Sequence, residues 1–449
     1  MTATQVHDVI VVGGGMAGCA AAVSSARRGR KTLLMERYGF LGGWATAALV
    51  NPFMPHYAAG GQALVGGVFE EIRSRLRQDQ ALVGASFDCE IMKVLLQEMV
   101  IESGAELLLH AQCESVVYSA DGDIIIRTSA KSGSRELGCR RLIDCSGDGD
   151  AAVMLGAEFK MGDEEGLPQA VTLMFDMGGV DLVRVVDYVK DHADQFRFPK
   201  LTPDADPVKI AEGQVGVAGY FDLVAKARSN GEYEAPGDLI FFIRRARGSE
   251  VTFNTTHIGH VDGTKAEDLT RAEIEGKRQM MSIVRFVRKY VPGFENSYLL
   301  RVAPHVGVRE TRRVVGEYVF DAPDVVEARK FADAICRLAY PVDIHSGKGH
   351  GYSEEEQKKE IRQAPPAGDW YEIPYRCLVP LGIENVLVAG RCVSSTQAGH
   401  GAIRIMPSCA AMGEAAGVAA ALSLELGVSP RSLDGAVVRS ELRKQGALL

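Results

Sequence analysis

The chain has 449 residues, 46% of them apolar and 24% charged, which is enough to bury a sizeable core in two or three folding units. A net charge of -8 and a pI near 5.8 leave no basic surface that would collect phosphate backbones, so nucleic acid is not expected as a partner. The nine cysteines include no Cys-x-x-Cys pair, which argues against a disulfide framework, a zinc or other metal site and a dithiol reductase.

The N-terminal residues lead directly into an apolar strand, with no charged segment followed by a signal-type apolar stretch. The most membrane-like segment, 409–426, contains Glu414, Glu425 and small residues that suit helix packing inside a protein. We therefore predict a buried helix at this segment, a cytoplasmic protein and no membrane partner.

Residues 8–18 read DVIVVGGGMAG, an apolar run that breaks into three glycines and continues into an Ala-rich stretch. This pattern predicts a strand, a tight turn and a helix whose N-terminus receives a dinucleotide pyrophosphate. In this motif Gly13 makes the turn, Gly15 lets the backbone approach the phosphates, and Gly18 lets the helix pack closely on the strand. The motif therefore predicts dinucleotide binding.

Glu36 follows the next predicted strand, 31–35, at the position where a carboxylate accepts ribose hydroxyls. The segment 38–67 is rich in glycine and aromatic residues and lacks a lasting period, which is typical of a functional loop. Helical spacing then predicts helices over 68–77 and 89–102.

Asp88 is predicted to cap the second of these helices. Short alternating runs from residue 106 to Leu137, separated by Gly-containing turns, predict a strand followed by a small antiparallel meander. A further strand is predicted over 141–144, ending at Asp144 before the turn 147–149.

The composition changes from about residue 161 to residue 371, and this region has no second G-x-G-x-x-G motif. Strands and polar helices alternate in it, which predicts a separate domain that faces the substrate. The predicted strands are 170–177, 239–243 and 251–256, and the longest predicted helix is 268–290. The charged, Pro-containing segment between His345 and Trp370 is predicted to be an exposed loop.

The last block, 384–426, repeats the arrangement of the first motif at the other end of the chain. A strand over 385–389 ends in Gly390, a glycine loop follows, and a long Ala/Gly helix begins near Pro407. Both ends of the chain therefore offer a strand and a helix N-terminus that face one ligand.

Three separated motifs, VVGGGMAG with Glu36, LIDCSGDGD and NVLVAGRCVSSTQAGHGAIRIMPSCAAMGEAAG, resemble the FAD-dependent oxidoreductases of the glutathione reductase-like superfamily. The segments HVGVRETRRVVGEY and YPVDIH are also similar to that group. The resemblance spans nearly the whole chain and implies an α/β fold. It implies a Rossmann-like FAD-binding domain at 1–160 plus 372–449, interrupted by an inserted mixed α/β substrate domain at 161–371.

The resemblance also implies how FAD is held. The first motif and Glu36 hold the ADP half, the backbone near Cys113 meets the adenine, and the second motif lies beneath the cofactor. The helix after the C-terminal loop points its N-terminus at the pyrimidine edge of the flavin, where reduction accumulates negative charge. The implied cofactor-binding residues are Gly13, Gly15, Met16, Ala17, Gly18, Glu36, Arg37, Gly42, Gly43, Trp44, Ala45, Cys113, Ser146, Gly147, Asp148, Gly390, Arg391, Arg404, Met406 and Pro407.

One position departs from the pattern of many relatives. They have an acidic residue after the glycine of the C-terminal strand, which holds the ribityl hydroxyls, whereas here Gly390 is followed by Arg391. The sequence leaves open which group makes that contact.

Hydride transfer at flavin N5 often needs a nearby group that moves a proton. His345 and His400 lie in the motifs and are the leading acid–base candidates, with a purely structural role as the alternative for each. Arg309 and Arg404 belong to a group of arginines in motif positions that favours an anionic substrate. Ion pairing with acids such as Glu310 is the alternative for these arginines.

The expected function is a two-electron oxidation or reduction of a small molecule through FAD. A flavin monooxygenase or halogenase-like enzyme is the enzymatic alternative, and an electron-transfer subunit is a third. The substrate, the direction of reaction, the electron donor or acceptor and homo-oligomerisation are left open by the sequence.

Overall fold

A computed structural model of the chain describes residues 5–196, 216–246, 248–351 and 363–449. Its strands are β1 (Gln5–Val12), β2 (Thr32–Met35), β3 (Leu82–Val83), β4 (Ser86–Phe87), β5 (Glu106–Leu108), β6 (Ala111–Tyr118), β7 (Ile124–Ala130), β8 (Arg135–Asp144), β9 (Phe159–Met161), β10 (Phe175–Gly178), β11 (Val217–Gly219), β12 (Ile240–Arg244), β13 (Val251–Phe253), β14 (Tyr298–Val302), β15 (Arg312–Val314), β16 (Ala334–Leu338), β17 (Tyr371–Pro374) and β18 (Val386–Val388).

The α-helices are α1 (Met16–Arg27), α2 (Gly67–Gln78), α3 (Cys89–Glu102), α4 (Asp150–Met154), α5 (Leu182–Asp191), α6 (Phe221–Ser229), α7 (Ala266–Tyr290), α8 (Ala322–Val326), α9 (Gln397–Ile403), α10 (Met406–Glu425) and α11 (Gly435–Lys444). Short 3-10 turns lie at Gly43–Ala45, Ala193–Gln195, Tyr375–Leu378 and Pro430–Ser432.

The larger sheet is built around β1, which pairs in parallel with β2 on one side and β8 on the other. β5 extends it beyond β2, and β18 pairs in parallel with the last residues of β8. β7 pairs antiparallel with the first half of β8, and β6 pairs with β7. The side chains of Val9, Ile10 and Val11 are fully buried, as expected for a strand covered on both faces. The carboxyl ends of β1, β2, β8 and β18 therefore meet at one edge.

The second sheet is antiparallel, with the strand order β11-β12-β13-β10-β14. Along β12, Ile240 and Phe242 belong to a core that includes Ile283 of α7. Phe241 and Ile243, which alternate with them, point to the opposite face of the sheet because successive strand residues face opposite sides.

Helix α10 is buried along nearly its whole length and packs against α1. A Cβ at Gly413 would lie 2.0 Å from the Ala17 carbonyl oxygen, and one at Gly417 would lie 2.3 Å from that of Ala21. These two positions need glycine because the helix backbones touch there. The prediction of a buried helix over 409–426 is confirmed.

Most predicted elements of the first 145 residues are confirmed, including the strand before Gly13, the strand before Glu36 and the helices α2 and α3. One prediction is wrong: the run at Leu137 and the strand at 141–144 are a single strand, β8. Arg140 and Arg141 interrupt the apolar pattern there, but Arg140 reaches solvent and Arg141 donates to the Ser423 hydroxyl. The strand continues while it exchanges the antiparallel partner β7 for the parallel partner β18.

The predicted strand 170–177 is also shorter in the structure, since β10 begins at Phe175. Val171 and Thr172 form only isolated bridges, to Ile258 and Gly307 respectively. The predicted charged loop between His345 and Trp370 falls partly on residues 352–362, which lie outside the described residues.

The glycine loop after β18 is not a loop throughout, because it contains helix α9. Thr396 caps this helix by accepting a hydrogen bond from the Gly399 amide. A Cβ at Gly399 would lie 2.2 Å from the Phe320 carbonyl oxygen, so this glycine allows close packing rather than a flexible loop.

Among the described residues, no single helix is long and apolar enough to cross a membrane. The pair α9 and α10 passes the same test only when taken together, across a bend of 93°. The domain boundaries at 160 and 372 stay a prediction.

Candidate functional site

A cavity of about 830 Å³ lies at the edge of the larger sheet where the parallel strands end. Residues that follow four of these strands line it: Gly13 after β1, Glu36 after β2, Ser146 after β8 and Gly390 after β18. In open α/β sheets, ligands bind outside the carboxyl ends of the strands. The cavity therefore lies where this architecture places a ligand.

The glycine turn between β1 and α1 forms one wall of the cavity. Gly13 has a φ of 98°, a conformation that glycine adopts without strain. A Cβ at Gly15 would meet no atom closer than 4.0 Å, whereas one at Gly18 would lie 1.8 Å from the Gly13 carbonyl oxygen. Gly15 therefore leaves space inside the cavity, and Gly18 allows the helix to pack on the turn, as the motif predicts.

The Glu36 carboxylate is buried and lines the cavity. One of its oxygens accepts a hydrogen bond of 2.6 Å from the Gly14 amide, and the other accepts one of 2.9 Å from the Tyr38 amide. Because each carboxylate oxygen has two acceptor positions, one position on each oxygen is left for a ligand hydroxyl. The two amides also fix the direction in which the carboxylate points.

Two helices begin at the cavity without a side-chain cap. Gly15 precedes α1 and Ile405 precedes α10, and in the part of the chain that the structure describes no side chain caps either start. Gly15, Met16, Ile405 and Met406 all line the cavity. Since the first amides of a helix have no intrahelical acceptor, both starts present donors and a partial positive charge to one ligand.

Arg391, at the position where many relatives carry an acid, does not replace that acid as an acceptor. Its guanidinium lies 2.8 Å from an Asp148 carboxylate oxygen and donates to the Thr311 hydroxyl at 3.2 Å. Both Arg391 and Asp148 line the cavity. The carboxylate that lies beside Arg391 in the cavity wall is thus Asp148, which belongs to the loop after β8.

A second group of polar side chains surrounds Arg404. Its guanidinium lies 5.9 Å from the Trp44 ring, donates to the Asp343 carbonyl oxygen at 3.2 Å and lies 4.0 Å from the Asp343 carboxylate. The same carboxylate accepts from the Tyr340 hydroxyl at 2.9 Å and lies 3.8 Å from Nε2 of His345. Arg404 and His345 therefore share one carboxylate in the cavity wall.

His257 lies beside this group, with its ring 5.7 Å from the ring of His345. Burial, together with the charge of the nearby Arg309 guanidinium, lowers the pKa of His257 to about 3, so the imidazole is neutral near pH 7. Nδ1 donates to the Thr255 carbonyl oxygen at 3.0 Å, because a carbonyl can only accept. Nε2 is consequently the acceptor nitrogen of this ring.

Of the predicted catalytic residues, the structure brings His345, Arg309 and Arg404 to the cavity but not His400. His400 is fully buried, and its Nε2 lies 2.9 Å from the Arg391 carbonyl oxygen. Burial, with the charges of the neighbouring arginines, holds its pKa well below the usual range. His400 supports the loop before α9 and is not placed to meet a substrate.

Of the predicted cofactor residues, all but Gly18, Ala45 and Pro407 line the cavity. Those that do are Gly13, Gly15, Met16, Ala17, Glu36, Arg37, Gly42, Gly43, Trp44, Cys113, Ser146, Gly147, Asp148, Gly390, Arg391, Arg404 and Met406. Gly18, Ala45 and Pro407 are buried. For all of these residues, those that line the cavity included, the assignment to the cofactor stays a prediction.

Ion pairing accounts for several arginines near the cavity. Arg313 pairs with the fully buried Glu310, and Arg312 lies 2.8 Å from Asp150. Glu310 also accepts from the amides of Gly162 and Gln169, so it fixes the segment that leads to Gln169. The alternative interpretation of these arginines is therefore confirmed for Arg312 and Arg313, and Arg309 and Arg404 remain candidates at the cavity.

Sequence reasoning predicted Arg309 and His345 but missed four other polar residues that the middle region contributes. They are Thr172, Asn254, His257 and Glu273, and each lines the cavity. None belongs to a motif with a fixed spacing, so no local signal identifies them. Tyr340 and Asp343 lie in the segment YPVDIH, whose similarity to known relatives was the one signal that pointed to them.

Comparison with known proteins gives a family match over nearly the whole chain. A sequence model of a family described as FAD dependent oxidoreductase matches residues 8–442. No curated protein matches the chain.

Similar solved structures include a geranylgeranyl bacteriochlorophyll reductase-like protein from Thermoplasma acidophilum, at 11% identity and a TM-score of 0.46, covering 98% of this chain and 84% of that chain. They also include p-nitrophenol 4-monooxygenase from Pseudomonas putida DLL-E4, at 10% identity and a TM-score of 0.46, covering 95% of this chain and 82% of that chain. A third is a myxobacterial chondrochloren halogenase, at 11% identity and a TM-score of 0.46, covering 97% of this chain and 78% of that chain.

Proposed function

The chain belongs to the family of FAD-dependent oxidoreductases, and from this premise we propose that it catalyses a two-electron oxidation or reduction of a small, anionic organic substrate. Its cofactor is FAD. The observation that carries the proposal is that one cavity joins two uncapped helix starts to the group around Arg404 and His345.

We further propose that the fold is of the glutathione reductase-like type, divided at residues 160 and 372. Two observations support this division. Strands β1, β2, β5, β8 and β18 form one sheet although β18 comes from the C-terminal block. The five-stranded sheet, in contrast, is built only from strands between Phe175 and Val302.

The residues of the cavity fit FAD. The Gly15 position leaves open the space that a Cβ would fill, next to donors at the start of α1, which suits a pyrophosphate. The Glu36 carboxylate keeps acceptor positions for ribose hydroxyls. The start of α10, near Met406, would hold the flavin, where its partial positive charge favours the reduced, more negative form.

Bound FAD supplies hydride transfer at flavin N5. The protein's own residues bind the substrate and move its proton. Arg404 and Arg309 offer guanidinium donors to an anionic group, and His345 is placed to accept or return a proton. The Asp343 carboxylate, 3.8 Å from His345 Nε2, stabilises the charge that the imidazole gains when it takes up a proton.

The first experiment is to purify the protein, record its visible spectrum, and mix it anaerobically with a panel of small carboxylates and their neutral analogues. The proposal expects a flavin spectrum that a carboxylate bleaches without added NAD(P)H. Oxygen incorporation that requires NAD(P)H would instead identify a monooxygenase. Bleaching that occurs only through a co-purifying redox protein would identify an electron-transfer subunit.

The variant His345→Gln tests the proposed proton transfer. We expect it to slow anaerobic bleaching by about a hundredfold, because a positioned general base contributes at least that much. FAD content should be unchanged. His192→Gln, an exposed histidine, is the matched control; equal rates in both variants would remove His345 from the mechanism.

A further inference from the structure

The part of the cavity that adjoins the second sheet has an apolar wall. Ala218 of β11 and Phe241 of β12 are directly paired across the two strands, and both line the cavity. Ile243 continues the same face of β12, while Ile240 and Phe242 point to the core on the opposite face. The strand alternation therefore presents a continuous apolar surface to the cavity.

Other segments complete this apolar wall. Val50, Pro52 and Met54 come from the long loop that follows Glu36, and Met174 and Leu269 come from the middle region. Val306 and Val308 also line the cavity and are 1% and 8% exposed. A ligand that touches only the flavin and the Arg404 group would leave this surface in contact with water.

A polar group stands at the edge of the apolar wall and is built from Asn254, Thr172 and Arg309. Arg309 is 2% exposed, donates to the Ala170 carbonyl oxygen at 2.6 Å, and has a second nitrogen 3.4 Å from the Asn254 side-chain oxygen. The Thr172 hydroxyl donates to the same oxygen at 3.2 Å. All three side chains line the cavity.

These contacts decide how the Asn254 amide is oriented. A guanidinium can only donate hydrogen bonds, so the amide oxygen is the atom that faces Arg309. The amide nitrogen is then directed elsewhere, and among the residues that the structure describes no acceptor lies within hydrogen-bond distance of it. Asn254 is half-buried and lines the cavity, so an amide donor without a protein acceptor at this place is available to an acceptor on the ligand.

We propose that the substrate is an amphipathic carboxylic acid: its apolar body packs on the Ala218–Phe241–Ile243 wall, and its carboxylate accepts hydrogen bonds from Asn254 Nδ2 and Arg309. This inference deepens the proposed function and rests on it for the identity of the cavity as the substrate site. It adds the apolar body and the residues that receive the head group.

The test measures binding to the FAD-loaded protein by isothermal titration calorimetry and by the flavin difference spectrum. The probes are propanoate, pentanoate, heptanoate and nonanoate, with 1-heptanol and heptylamine as head-group controls. We expect affinity to rise about fourfold for each added methylene and heptanoate to bind at least tenfold more tightly than heptanol. Affinity that does not depend on chain length, or heptylamine binding best, would overturn the inference.

Two variants separate the two contacts. Phe241→Ala should lower the gain in binding affinity per added methylene, while the preference for heptanoate over heptanol stays unchanged. Phe159→Ala, at an exposed position, is its control. Asn254→Asp should lower the affinity for heptanoate by at least tenfold and leave the affinity for heptanol unchanged, because the new charge repels the carboxylate. Asn230→Asp, at the exposed end of α6, is its control. Thermal unfolding verifies that each variant folds; if both site variants bind heptanoate like their controls, the inference is wrong.

The outcomes also distinguish the inference from the proposed function. If a short hydrophilic compound bleaches the flavin while the acid series shows no dependence on length, the inference fails and the proposed function stands. If the series binds as expected but no compound exchanges electrons with the flavin, the proposed function fails.

Discussion

The helix starts that surround the larger sheet are of two kinds. Those of α1 and α10 have no side-chain cap and line the cavity, whereas those of α2 and α3 are closed by the protein's own carboxylates. Glu414 accepts from the Val68 amide at 3.0 Å, and Asp88 accepts from the amides of Glu90 and Ile91. The starts of α1 and α10 therefore leave backbone donors available to a ligand in the cavity, whereas carboxylates occupy donors at the starts of α2 and α3.

The largest effect is expected when a side-chain cap is placed at the uncapped start of α1. In Gly15→Asp, the new carboxylate competes with the pyrophosphate for the α1 amides and repels its charge. A like charge at about 4 Å costs about 4 kcal/mol at an effective dielectric constant of about 20, or about a thousandfold in FAD affinity. Titration of the apoprotein with FAD measures this loss.

The same substitution supplies a helix cap, so the apoprotein should unfold at the same or a higher temperature than the unsubstituted apoprotein. Gly15→Ala, which adds a methyl group without charge, is the control and should lose much less affinity. FAD binding by Gly15→Asp at unchanged affinity would contradict the assignment of the α1 start to the pyrophosphate.

The Glu414 carboxylate that caps α2 is itself buried, so its ionisation should make the stability of the protein depend on pH. Burial raises its pKa from 4.5 to about 7. A carboxyl group whose folded pKa is raised destabilises the folded state progressively as pH rises from its unfolded pKa to its folded one. Between about pH 4.5 and pH 7 the free energy of unfolding of the unsubstituted protein should therefore fall by on the order of 3 kcal/mol. Glu414→Gln should not show this fall.

Urea unfolding at pH 5 and pH 8 tests this expectation. The Gln variant keeps an oxygen for the Val68 amide and should match the unsubstituted protein at pH 5 and exceed its stability at pH 8. Glu425→Gln, on the same helix but more exposed, is the control. Equal pH dependence in the Glu414→Gln and unsubstituted proteins would show that burial does not control this carboxyl group.

The second open start is tested through the flavin potential. Met406→Asp places a carboxylate at the first position of α10, where it should disfavour the negative charge of reduced flavin. A cost of about 1.4 kcal/mol lowers a two-electron midpoint potential by about 30 mV. Spectroelectrochemical titration measures this midpoint potential, with Met406→Leu as control. A potential that does not fall in Met406→Asp would show that the start of α10 does not contact the flavin.

The smallest effect, a modest loss of stability, is expected at the capped start of α3. Asp88→Ala removes the cap of α3 and should destabilise the protein by about 1 kcal/mol without changing FAD affinity. Urea unfolding and FAD titration check the two parts. Asp121→Ala, in an exposed turn, is the control, and weaker FAD binding in Asp88→Ala alone would show that closed starts also serve the cofactor.

The two ends of the cavity differ in how far sequence could predict them. Gly13, Gly15 and Glu36 line the cavity, as the motif predicts, because a strand, a turn and a helix start are local features whose geometry the residue order determines. Asn254 and His257 could not be placed, since they reach the cavity through the pairing of β12 with β13 and the packing of the second sheet. His400 was misplaced because its motif neighbours surround the cavity while its own ring points into the core.

The fold shows the same limit. Periodicity identified the helices α2 and α3, and the Ala/Gly composition that follows Pro407 identified α10. Periodicity divided β8 at Arg140, where the strand changes partner, and it missed α9, whose glycines are required by contacts with Phe320 and Asp343. Both errors concern contacts between residues distant in sequence.

The most direct test is a crystal structure of the FAD-loaded protein. We expect the pyrophosphate at the amides that follow Gly15, a ribose at Glu36, and the flavin ring between the start of α10 and the group around Arg404 and His345. A flavin ring located away from Met406, or a pyrophosphate that makes no contact with the α1 start, would contradict this expectation.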